Sequence, residues 1–215
     1  MISNDDKITL IMLMLGVYFT NDLEWGGPDN LSVNTNSFLL TQEFNVAIAP
    51  SATTFKLWGP MFLSILMTCI SLFGWANPIN VISKNYTAQY ETDVLSFAIT
   101  VSVCDIGYIA LIHYTNNLWL PIVVQVIIWR IVSQFYDQIH KGNTRFFFQM
   151  CTSLVYVWSS WELSFLICAQ FQLSSMFSYL LLSFMFAYLM LQSFHKRDWM
   201  LSASVLYILA GICKF

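Results

Sequence analysis

The chain has 215 residues, of which 57% are hydrophobic, 17% aromatic and only 10% charged, with a mean hydropathy of +0.62. A soluble domain carries about a quarter charged residues. So few charges cannot cover a water-facing surface, and the chain reads as an all-α, multi-pass transmembrane helical bundle. A net charge of −3 over so few groups builds no basic patch and excludes nucleic acid as a partner.

The N-terminal residues include Asp5 and Asp6 and lack the basic start of a signal peptide or the Arg-rich face of a mitochondrial presequence. The first apolar run is therefore expected to stay as a helix. Seven apolar runs can be drawn, at 8–22, 55–76, 93–114, 117–136, 146–169, 174–194 and 198–214, and a membrane span needs roughly 17–25 residues. No fixed-period repeat divides them, so residues 1–215 are expected to form a single membrane domain of about seven helices. The linkers are short apart from 23–54, which predicts antiparallel packing of neighbouring helices.

The Lys and Arg residues test this division. With seven spans, one side carries Lys7, Lys84, Lys141, Arg145, Lys196 and Arg197, and the other only Lys56 and Lys214. That bias is the one the positive-inside rule requires, and it puts the N-terminus on the cytosolic or matrix side. The 23–54 loop then lies opposite. It carries the acidic residues Asp22, Glu24, Asp29 and Glu43 in or beside it, and a Trp25-Gly26-Gly27-Pro28 turn. With Trp25, Phe38, Leu39, Leu40 and Phe44 it reads as a lid on the membrane surface; a plain tether is the simpler alternative. The sequons at Asn30 and Asn85 are short patterns common by chance.

The loop ends in Ala49-Pro50, and the next run opens with Phe55-x-x-Trp58-Gly59-Pro60. Pro60 suits a first helical turn, and the remaining runs can be gathered around the helix that this stretch opens. Further on come Asp105-Ile106-Gly107-Tyr108, Trp158-Ser159-Ser160-Trp161 and Asp198, followed by Tyr207-Ile208-Leu209-Ala210-Gly211-Ile212. In order and spacing these resemble the motifs of the tryptophan-rich sensory protein/translocator protein (TspO) family, most closely its longer branch. The resemblance spans nearly the whole chain. It implies a helical bundle with a lipophilic pocket, in a family whose compact members bind tetrapyrroles or sterol-like ligands. The chain departs from the family where Asp105 replaces an Asn, Trp158 a Tyr, Met61-Phe62 an Ile-Tyr, and Phe165 a small residue. A bulky Phe165 would fill a pocket that relatives keep open.

Three ionisable groups fall inside predicted helices: Asp105, Arg130 and Glu162. Each costs a few kcal/mol in hydrocarbon and is expected to face the bundle interior with a partner. From the rise per residue, Asp105 lies roughly 18 Å from the basic side, Arg130 about 10 Å and Glu162 about 24 Å. These depths predict a buried Asp105–Arg130 pair, which reads as a structural clamp more readily than as a proton relay. Trp158, Trp161 and Glu162 share one helical face. With Trp58 they would line a pocket for a flat lipophilic ligand or lipid, and Trp25 would close it. Helix packing, with Glu162 reaching towards water, accounts for the same residues.

No chemistry beyond binding is indicated. Cys69, Cys104, Cys151, Cys168 and Cys213 lie singly in apolar runs and read as packing residues. His113, His140 and His195 are far apart, so no metal site is expected. Phosphate- and dinucleotide-binding glycine patterns are absent from the sequence. The reading is a non-catalytic membrane protein with a TspO-like core and no required cofactor, acting as an accessory subunit of a larger membrane assembly. Its partners would be lipids and other membrane protein subunits, and the mitochondrial inner membrane is a location consistent with that role. The alternative is a translocator-type receptor for a tetrapyrrole or sterol. A transporter ranks behind both, because no paired broken helices or inverted repeat is visible.

Overall fold

A computed structural model of the chain describes residues 8, 9, 12, 46–49, 51, 54, 57–71, 96, 97, 99, 100, 103, 118–139 and 146–213. Among these the architecture is all-helical. Five helices follow one another: α1 Trp58–Ser71, α2 Trp119–Ile139, α3 Phe146–Gln170, α4 Ser175–Lys196 and α5 Trp199–Cys213. Each falls within a few residues of an apolar run expected from sequence. The two further runs needed for seven helices, 8–22 and 93–114, lie outside the described residues apart from isolated positions. One of those positions is Phe97, buried edge-on against Phe135 of α2 and Phe148 of α3.

Three helices, α2, the greater part of α3, and α4, are long and apolar enough to cross a membrane. These are the elements of a helical integral membrane protein, since a helix alone satisfies all its backbone groups without water. Their outward faces carry large apolar side chains, including Leu120, Val123 and Ile127 on α2 and Met176, Phe184 and Leu191 on α4.

The centre of the bundle is α3, not the helix opened by Trp58-Gly59-Pro60. Helices α1, α2, α4 and α5 all pack on it, and every residue from Cys151 to Leu166 is buried. The sequence of α3 suits that place. Small hydroxyl residues let neighbouring backbones approach closely, and α3 satisfies them on its own carbonyls. Thr152 donates to Phe148 O at 2.8 Å, Ser160 to Tyr156 O at 2.7 Å and Ser164 to Ser160 O at 2.9 Å.

The connections are tight. Between α3 and α4, Leu173 N donates to Cys168 O at 3.1 Å, and Gln172 turns the chain with φ 47°. Between α4 and α5, Arg197 takes φ 55° and ψ 39°, and Asp198 N donates to Ser193 O at 2.9 Å. Both turns use the left-handed C-terminal cap that commonly ends helices. They hold consecutive helices side by side, as the short linkers predict.

Candidate functional site

Two buried polar clasps mark the ends of the bundle. The first joins α2 and α3 near the start of one and the end of the other. Gln125 Nε2 donates to Glu162 Oε2 at 3.2 Å and to Ser159 O at 3.3 Å. One turn further along α2, Trp129 Nε1 donates to Ser160 Oγ at 2.9 Å. At the helix ends, Leu118 N donates to the Gln170 side-chain carbonyl at 3.2 Å, and Trp119 packs edge-on to Phe171. Glu162 is only 6% exposed, and Gln125 is one of its partners inside the bundle. Gln125 Oε1 is also buried and accepts no hydrogen bond among the described residues.

Trp158 and Trp161 lie beside Glu162, as their spacing predicts. Their ring centroids are 4.9 Å apart, and Phe165 packs against Trp161 at 5.7 Å. All three rings are buried. Trp161 Nε1 donates to the carbonyl of Ile48 at 3.2 Å, and Ile48 is 0% exposed. The end of the 23–54 loop therefore reaches into the bundle, and the chain's own backbone takes the polar edge of Trp161. The rest of the expected lid, with Trp25, lies outside the described residues, as does the side chain of Trp58. Arg130 is exposed on α2, a turn beyond Val126. Its expected partner, Asp105, lies outside the described residues.

The second clasp centres on Asp198, the residue that precedes the last apolar helix. It is 2% exposed and forms the N-cap of α5. Its Oδ1 accepts from Met200 N at 3.0 Å and Leu201 N at 3.2 Å, and Oδ2 accepts from Ser153 Oγ of α3 at 2.5 Å. Its backbone carbonyl accepts from Ser193 Oγ of α4. Beside it Lys196 forms an ion pair with Asp137 of α2, with its ammonium 4.4 Å from the Tyr136 ring centroid. Four helices are joined at this end. The signal for Asp198 was present in the sequence, as an acidic residue immediately before an apolar helical run.

Among the described residues no group of three or more His, Cys, Asp or Glu could hold a metal ion. Cys151 and Cys168 are buried, and Cys213 is exposed. The clasps suit holding helices together: apart from Gln125 Oε1, the donors and acceptors named above are matched to one another or to backbone.

Gln125→Leu is expected to lower the thermal stability of the detergent-solubilised protein by about 1–3 kcal/mol, because it withdraws one donor from a buried carboxylate. Gln125→Leu/Glu162→Leu should recover most of that loss, since replacing both partners with apolar groups can be nearly neutral. A double variant no more stable than the single one would break the link between the two residues.

What fold and site define is a class: a helical membrane protein whose interior is locked by side-chain hydrogen bonds at both ends. No protein-family model, no curated protein and no solved structure matches the chain.

Proposed function

We propose that this chain is a non-catalytic, multi-pass membrane protein of TspO-like fold, serving as a structural subunit of a larger membrane assembly and contacting lipid. The observation that carries the reading is the closure beside Trp161. The aromatic face expected to line a ligand pocket is packed by Phe165 and met by the backbone of Ile48. The outward faces of α2, α4 and α5 present apolar side chains such as Ile127, Phe184 and Leu206, which suits lipid or neighbouring subunits. In this reading the runs at 8–22 and 93–114 complete seven helices, Asp105 meets Arg130, and the basic side faces the cytosol or matrix. The mitochondrial inner membrane is the proposed location.

The translocator-type alternative draws on the orphaned Gln125 Oε1 beside Glu162, a polar spot within an aromatic wall. One experiment separates the two. Membranes holding the full chain are washed with alkaline carbonate, solubilised in a mild detergent and run on a native gel. The purified protein is then titrated with protoporphyrin while tryptophan emission is followed. The subunit reading expects retention in the membrane, migration far above the 24.8 kDa of the chain, and no saturable quenching. Migration as a monomer together with saturable quenching lost in Trp161→Leu would favour the receptor.

A further inference from the structure

The α4–α5 turn carries a surface groove of about 520 Å³, lined by Phe194, His195, Arg197, Asp198, Trp199 and Ser202. That size is within the range of small-ligand sites. Its charge is one-sided. The only acid lining it, Asp198, is buried, and its carboxylate is taken by Ser153 Oγ and two backbone N–H groups. Lys196 is held by Asp137 and the Tyr136 ring. His195 and Arg197 are exposed, and neither makes an ion pair among the described residues. The left-handed cap fixes the backbone from which the Arg197 side chain springs.

The flanks of the groove point to the ligand. Phe194 is 85% exposed and Trp199 65%, although both are large aromatics. Exposed rings next to basic groups at a helix end are the arrangement found at headgroup level in membranes. A guanidinium takes a phosphate through two parallel N–H bonds. From the groove, the outward face of α4 continues through Leu191, Tyr188, Phe184 and Leu180 to Met176, all exposed. An anion with acyl chains can use both surfaces at once; free phosphate can use only the first.

We propose that this groove binds an anionic glycerophospholipid, with its phosphate on Arg197 and His195 and its acyl chains along α4. The proposal rests on the chain being embedded in a membrane, which the carbonate wash above tests separately.

The experiment uses the full chain in nanodiscs of phosphatidylcholine with a minor fraction of phosphatidylglycerol. Lipids retained on the released protein are then counted by native mass spectrometry. The wild-type protein should retain phosphatidylglycerol over phosphatidylcholine. Arg197→Gln/His195→Gln should reduce that enrichment about fivefold or more, the factor expected for losing one or more cations near an anionic headgroup. Arg197→Lys, which keeps the charge, should retain most of it, and a matching helical circular dichroism spectrum identifies folded variants. The proposal is overturned if the double variant keeps the wild-type enrichment, or if Arg197→Lys loses it while folded. Displacement of phosphatidylglycerol by inorganic phosphate would also overturn it, by marking an anion site with no lipid requirement.

Discussion

Gly211→Ala is expected to be among the most damaging single substitutions in the chain. A Cβ built on Gly211 would stand 1.7 Å from Thr54 Oγ1 and 2.9 Å from Thr54 Cβ. Thr54 is buried, and its backbone N–H is held by Ser51 O at 2.9 Å. Ser51 N in turn donates to Gly211 O at 3.0 Å. The two backbones are thus bound at the point where the new methyl would enter. Overpacking of this kind costs about 1–3 kcal/mol and sometimes more. For a chain of this size that corresponds to a fall of about 2–12 °C in the midpoint of thermal unfolding. Thr54→Ala in the same chain removes the nearer atom but leaves Thr54's Cβ position filled, so it should recover part of the loss. Gly211→Ala with an unchanged midpoint would mean that the loop end and α5 do not meet this way.

Asp198→Ala should have the other large effect. It removes the cap from Met200 and Leu201 and one of two acceptors from Ser153, whose Oγ also lies 2.8 Å from Gln149 O. Loss of an N-cap costs about 0.5–2 kcal/mol, and the buried Leu201 N–H left without its side-chain acceptor puts the loss towards the upper end. Asp198→Asn should be much milder, because an amide oxygen still caps the helix and its NH2 can bond Ser153 Oγ. Thermal unfolding of both variants in one detergent checks the order. Equal losses from the two substitutions would show that the negative charge, not the cap geometry, is what this end of the bundle requires.

The helices were legible because hydrocarbon length sets apolar length: the runs at 117–136 and 146–169 became Trp119–Ile139 and Phe146–Gln170. Their arrangement was not legible. Helix α3 carries Glu162 and the hydroxyls of Thr152, Ser153, Ser159, Ser160 and Ser164, yet it occupies the centre. Small hydroxyl residues let neighbouring helices pack closely, and Glu162 finds no partner in lipid, so such a helix goes inside. The neighbourhood of Trp158, Trp161 and Glu162 followed from helical spacing alone. Gln125 carries no charge and so gave no signal as a partner for Glu162, yet its amide can donate to a buried carboxylate. The contact between Trp161 and Ile48 bridges 113 positions of sequence, a separation that no local pattern encodes. The Gly211 motif was visible as a motif, but its reason, the closeness of Thr54, belongs to the fold.

The enclosure of α3 also bears on how the protein is made. Before its neighbours arrive, this segment would present Glu162, three serines in one turn and a half, and Thr152 to fatty acyl chains. The hairpin with α2 supplies Gln125 and Trp129 to meet Glu162 and Ser160, and both are already synthesised when α3 leaves the ribosome. Helices α4 and α5 follow and close the other side with Asp198. The order of the helices in the gene is thus one in which the most lipid-averse segment emerges with its first partners in place.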